Sequence, residues 1–208
     1  MSFAAVITAD IVNSTKIAKA DYKKLMKNLT GILQEHQHEF FRGDSFQVLI
    51  KSPNEALQVL LQARTAAMKL TESSMPIADI RASIGLGNVK LPVKSFQTAS
   101  GDVFILSGRS FDKMEKDERL IIICEEKNKA VNSGLKVLSQ FIDYLFQRLT
   151  FKQAAVVYEL LMNRTQVDTA KRLKKSQATV HKHTQAAGWP EIEKLLMEYK
   201  TLVTLIEP

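Results

Sequence analysis

Two short segments carry aspartates in settings that could do chemistry. Asp10 closes the apolar run at residues 3–9, and Asp44 lies in the turn-forming stretch Arg42-Gly43-Asp44-Ser45. Asn13, Ser14 and Thr15 follow the first aspartate where a helix is expected to begin, and free backbone amides there suit an anion. Two carboxylates at one sheet edge suit Mg²⁺, which commonly takes one or two acid ligands and fills its shell with water or substrate phosphate. The local alternative stays open: Asp10 caps the helix that follows and Asp44 serves a turn.

A second set of residues suits a polyanion. Residues 1–127 hold 17 Lys and Arg against 15 Asp and Glu, a net +2, whereas residues 128–208 hold 12 against 7, a net +5. Arg164, Lys171, Arg172, Lys174, Lys175 and Lys182 crowd into residues 164–182 with Asp168 as the one acid. Such a patch gathers at phosphates because each neutralised phosphate releases counterions. A solvated helix face has the same composition, so charge alone does not decide.

The elements that must hold these residues follow from periodicity. Residues 3–9 are expected to form a buried strand, and residues 21–37 a helix with Leu25, Leu29, Ile32 and Leu33 on one face. Residues 39–51 form two extended segments around the turn. A helix starts at Ser52-Pro53 and runs to about residue 71, with strands expected at 80–89 and 120–124 and a helix within 101–114. A right-handed strand–helix–strand crossover then makes the second strand parallel to the first and brings Asp10 and the Asp44 turn to the same edge. Everything after residue 128 has helical patterning. A domain boundary is expected within 125–137, where charge and Gly134 interrupt the pattern, which gives an α/β unit over 1–127 and a helical unit over 138–208.

The helical part carries three start signals. Thr150 and Gln153 have capping-box spacing, Thr165 and Asp168 the related one, and Ser176 can cap a further helix from Gln177. The last two helices would be joined by Lys174-Lys175-Ser176, a length that fits a helix-turn-helix. Val157, Leu160, Val167, Ala170, Leu173 and Val180 are expected to share one small core. Gln177, Ala178, Thr179, His181, Lys182 and Gln185 are then left for the outer face, where small and amide side chains suit base edges. Lys174, Lys175 and Lys182 suit phosphates, which position a protein without reading sequence. Pro190 opens a last amphipathic helix suited to packing on this unit or pairing with a second copy. His181 and His183, two apart, point in different directions on a helix and do not make a metal pair.

Composition narrows the class. The chain has 208 residues, 45% hydrophobic and 25% charged, an ordinary globular balance. No apolar run approaches the roughly 20 residues of a membrane span, and residues 3–7 lack the basic flank of a signal peptide. The single Cys124, set in an Ile-rich run, cannot form an internal disulfide and fits a buried thiol in a reducing, cytoplasmic setting.

Resemblance adds to these readings. Leu149-Thr150, Gln153, Ala170, Leu173, Ser176 and Thr179-Val180 resemble the sigma-region-4-like helix-turn-helix family. Ala9-Asp10-Ile11-Val12-Asn13-Ser14-Thr15 and Gly43-Asp44-Ser45-Phe46 resemble the two metal-binding segments of class III nucleotidyl cyclases. Arg81, Ile84, Gly85 and Gly87 resemble that family's next strand, and Gly101, Asp102 and Arg109 its transition-state arginine motif. Nearly the whole chain is similar to the SatD family, in which a cyclase-like domain precedes a helix-turn-helix and Gly43, Asp44, Phe46 and Gln47 match the recurring signature. The resemblance implies a ferredoxin-like, cyclase-like α/β sandwich followed by an all-α helix-turn-helix domain. It implies Asp10 and Asp44 as metal residues with Mg²⁺, and Asn13, Ser14, Thr15 and Arg109 on a nucleotide or other phosphate ligand. Phe40 stands where such cyclases read the purine, and Ile105 replaces an asparagine of the arginine motif. A lost polar partner costs on the order of 1–3 kcal/mol, which speaks against efficient purine cyclisation.

The leading expectation is a DNA-binding transcriptional regulator, homodimeric, whose first domain dimerises or senses a nucleotide and is not assigned catalysis. A metal-dependent nucleotidyl cyclase or nucleotide hydrolase with an appended DNA-binding module is the alternative, and a protein-interaction adaptor built on the helices is the third.

Overall fold

The computed structural model describes residues 2–41, 43–96, 99, 101–114, 120–125 and 127–206. Five strands form one sheet: β1 (Ser2–Val12), β2 (Gln37–Phe41), β3 (Ser45–Ile50), β4 (Asp79–Val89) and β5 (Ile121–Cys124), in the order β2-β3-β1-β4-β5. Among the described residues β4 and β5 are the one neighbouring pair that runs parallel; β1 is antiparallel to both its neighbours. Because β2 is antiparallel to β3, and β3 to β1, β2 runs the same way as β1. That is the arrangement expected from the crossover through α1 (Lys19–Leu33).

Strand parity sorts the side chains. Ala5, Ile7, Ala9 and Ile11 enter the large core, whereas Ala4 and Val6 pack on the opposite face with Leu49, Val103 and Phe104. Successive strand residues point to opposite faces, so Thr8 and Asp10 fall on that second face as well. The second face is crossed by α3 (Asp102–Met114), seated by Ser107, whose Oγ lies 3.0 Å from Thr8 Oγ1 and whose carbonyl accepts Ser83 Oγ at 2.6 Å. The close seat needs Gly85: a Cβ there would meet the Val103 carbonyl at 2.7 Å and the Ser107 nitrogen at 2.9 Å.

On the first face the helices stack two deep. The central helix α2 (Ala56–Met68) is buried around almost its whole circumference, which a helix with apolar residues on every side requires. It lies between the sheet and the helices α5 (Phe151–Leu161) and α8 (Trp189–Thr204), while α4 (Lys129–Phe146) packs directly against β5. Val131, Leu135, Leu138, Ile142, Ala154, Val157, Tyr199 and Val203 therefore join the same core as the strands. Helix α4 runs through residues 129–137 without interruption. Gly134 lies inside α4, where Leu202 of α8 approaches its missing Cβ to 3.2 Å; it permits packing and does not end an element.

A buried ion triad ties these layers together. Arg64 of α2, fully buried, donates from Nε and Nη2 to Asp79 at 2.9 and 2.7 Å and from Nη1 to Asp143 of α4 at 2.9 Å. Burial pushes its guanidinium down, and Asp79 with Asp143 more than reverses this, so its pKa is raised.

Three further differences have simple causes. Strand β1 continues two residues past Asp10, because Ile11 and Val12 still pair with Ile80 and Asp79. Residues 14–16 form a separate 3₁₀ turn, and α1 begins only at Lys19, so Asn13, Ser14 and Thr15 do not open that helix. Similarly, Pro53 opens a 3₁₀ turn before α2.

Candidate functional site

The carboxylate edge is built by three strands. Asp10 of β1 is register partner to Ser45 of β3 on one side and Arg81 of β4 on the other. The Ile11 amide donates to the Asp44 carbonyl at 3.0 Å, which fixes the Gly43-Asp44 turn against β1. Asp10 and Asp44 are thus brought to one edge, and Ser14 joins them, its Oγ donating to Asp44 Oδ2 at 3.0 Å. Gly43 sits at φ +84, a left-handed conformation suited to glycine. Arg42 lies outside the described residues.

Two side chains at this edge were missed in the sequence. Arg81 holds both Asp10 oxygens, Nε at 3.2 Å and Nη2 at 2.6 Å, with its guanidinium 5.1 Å from the Phe111 ring centre. Tyr22 of α1 donates its hydroxyl to the Gly43 carbonyl, and burial, then the Asp44 charge, raises the phenol pKa. Neither partner is close in sequence, so spacing gave no signal for them.

The donor set bears on Mg²⁺. Both Asp10 oxygens already accept from Arg81, so a metal ion bridging Asp10 and Asp44 would share that carboxylate with a cation. Among the described residues no group of three His, Cys, Asp or Glu is placed to hold a metal. Asn13 takes a left-handed conformation and donates its side-chain amide to the Ile77 carbonyl at 3.2 Å, while Thr15 is exposed. Arg109 stands on the solvent side of α3, and among the described residues no contact joins it to either aspartate. Phe40 packs towards the large core, 5.5 Å from Phe46, on the face opposite Asp10. Ile105 is half exposed on α3.

The second candidate surface lies on α6 (Gln166–Leu173) and α7 (Gln177–Ala186). Three caps set these helices. Thr150 and Gln153 form a reciprocal capping box at α5, and Thr165 and Ser176 accept the Asp168 and Thr179 amides. The α6–α7 turn is 174–176, closed by the Lys175 amide on the Ala170 carbonyl at 3.0 Å, with Lys174 in a left-handed conformation. The small core here is Val156, Leu160, Ala170 and Val180, with Leu173 and Trp189 against it. This differs from the expected set in two positions. Val157 turns to the large core because α5 also covers α2, and Val167 remains largely exposed at the start of α6.

Lys174, Lys175, Gln177, Ala178, His181, Lys182 and Gln185 are all exposed, and Thr179 is half-buried. They lie on the solvent side of the helix pair as one surface, and α7 contains no acidic residue. Lys152 of α5 belongs to it too: burial first, then Lys152, Lys182 and Lys175, lowers the His183 pKa. A cationic surface that already disfavours an added proton is one that an approaching anion would relieve. Cys124, by contrast, is buried against Ser110, Sγ to Oγ 3.0 Å.

No family model and no curated protein matches the chain. Among solved structures it is similar to a bacterial light-regulated adenylyl cyclase at 14% identity and a TM-score of 0.41, over 59% of this chain and 75% of that one. A second such structure, also of a bacterial light-regulated adenylyl cyclase, gives 13% identity and a TM-score of 0.38, over 62% of this chain and 46% of that one. No helix among the described residues is long and apolar enough to cross a membrane.

Proposed function

We propose that the chain is a DNA-binding transcriptional regulator of the SatD type, acting in the cytoplasm as a homodimer. Its helix-turn-helix is α6–α7 within the helical segment 138–208, and the α/β segment over 1–127 is ferredoxin-like and cyclase-related. The observation that carries this reading is the exposed, acid-free face of α7 beside the lysine turn. An α-helix with amide and small side chains outward fits the major groove, and the flanking lysines fit phosphates on either side. The strand–helix–strand–strand–helix–strand order of β1 to β4 supports a ferredoxin-like unit. In that unit Asn13, Ser14, Thr15 and Arg109 would serve a nucleotide or phosphate signal.

The test is a gel shift with a labelled duplex covering the region upstream of the protein's own reading frame. Wild type retards it, and Lys175→Glu with Lys182→Glu abolishes the shift. Unchanged affinity in the double variant would remove α7 from the reading.

A second reading is favoured by the Asp10, Asp44 and Ser14 cluster: a nucleotidyl cyclase or nucleotide hydrolase using Mg²⁺ at the two aspartates. Incubation with Mg²⁺ or Mn²⁺ and each nucleoside triphosphate decides it. Product that disappears in Asp10→Ala supports catalysis, and no turnover of any triphosphate refutes it.

A further inference from the structure

Glu159 of α5 is where three elements exchange charge. Its side chain is 5% exposed and accepts Arg164 Nη1 at 2.6 Å and Arg172 Nε at 2.9 Å. Lys69, just beyond α2, places Nζ 3.8 Å from the other oxygen and 3.3 Å from the Tyr158 ring centre. Lys24 of α1 lies close enough for its charge to act on Lys69. Three cations from three segments therefore share one carboxylate, and Lys24 brings a fourth positive charge near Lys69. Burial, opposed by Glu159 and reinforced by Lys24, Arg164 and Arg172, brings the Lys69 ammonium down to about 8. Surplus like charge in a partly desolvated place is relieved by losing a proton or by gaining an anion.

We propose that Lys24, Lys69 and Arg172 form a phosphate site that takes a backbone phosphate of duplex DNA beside the α6–α7 surface. This rests on reading that surface as the DNA contact. Three observations favour the duplex over a small phosphate ligand. Arg172 is 56% exposed and belongs to α6, the helix of such a pair that crosses the backbone. Lys171, Lys174 and Lys175 stand exposed on the same helix and turn. On the other side the cationic strip continues along α1 through the exposed Lys23 and Lys27. A strip of cations, unlike a closed pocket, matches the repeated charge of a nucleic-acid strand.

The experiment measures affinity of the full chain for a labelled random-sequence duplex by anisotropy across a salt series. Each neutralised phosphate contributes about 0.9 to the slope of log K against log salt. Lys24→Ala combined with Arg172→Ala flattens the slope by about 0.9, so a fourfold rise in salt weakens the variant roughly threefold less than wild type. Lys90→Ala, at the other end of β4, leaves it unchanged. Amine-reactive labelling of Lys69 at pH 8 falls when duplex is bound, because a phosphate holds the ammonium protonated. A wild-type slope in the double variant, with Lys69 equally reactive in bound protein, overturns the site. If Lys175→Glu with Lys182→Glu still abolishes binding, that failure leaves the α7 reading standing. Absence of any binding by wild type removes both.

Discussion

Replacing Asp143 by alanine tests whether sheet and helices unfold as one. Asp143 belongs to α4, yet its partners lie elsewhere: Arg64 of α2 at 2.9 Å, and the amides of Leu120 and Ile121 at 3.1 and 3.0 Å. The residue is 5% exposed. Removing it leaves Arg64 with Asp79 alone and orphans two sheltered N–H groups. Breaking a buried ion pair costs about 3–5 kcal/mol, and an unmade buried hydrogen bond about 1–3. The same group supplies both, so the terms overlap and the expected loss is about 4 kcal/mol. With a urea slope of about 2 kcal/mol/M, the midpoint falls by about 2 M. Unfolding is followed at pH 7 by far-UV ellipticity and by fluorescence of Trp189, the single tryptophan, which packs against the shared core. Both probes shift together, because residues of α4, α5 and α8 share that core with β1 to β5. A loss under about 1 kcal/mol would refute the assignment of the triad. An unmoved Trp189 midpoint beside a lowered ellipticity midpoint would refute the shared unit.

Three further outcomes are expected. Thr150→Ala removes the reciprocal cap of α5 and lowers stability by about 1 kcal/mol in the same urea titration. Gly85→Ala forces α3 off the sheet at the Val103 carbonyl and Ser107 nitrogen, costing about 1–3 kcal/mol by overpacking, whereas Gly31→Ala, in open space, does not destabilise. Lys69 gives a pH signature. Its folded pKa of about 8 lies below the ordinary 10.5, so the unfolded chain binds more protons between those values. Wild type therefore gains stability relative to Lys69→Met as pH rises from about 8 towards 10.5. Equal slopes for the two proteins in melting experiments over that window would contradict the depressed ammonium.

Interactions within four residues were legible in the sequence, and those across the fold were not. Thr150, Thr165 and Ser176 announced their helices because a cap and its target amide are three residues apart. The first strand followed from its apolar run, and crossover handedness alone brought the distant Asp10 and Asp44 turn to one edge. Arg81 on Asp10 spans 71 positions and Arg64 to Asp143 spans 79, distances over which spacing carries no information. The turn from Val157 to Val156 in the small core has a tertiary cause as well. Helix α5 serves two cores at once, and a one-residue step of about 100° decides which valine meets which. Gly134 suggested an interruption because composition cannot distinguish a chain break from a place where two helices touch.

Lys174 occupies a backbone conformation, φ 52 and ψ 46, that a side chain ordinarily avoids. Left-handed geometry disfavours a residue with Cβ by roughly 1–2 kcal/mol, and glycine is the common solution after a helix end. Glycine at 174 would relax the bend between α6 and α7 and tighten the fold, while stripping one ammonium from the outward rim. The chain keeps strain and charge together at that corner, so firmness of the bend and positive potential in front of it cannot be raised at once.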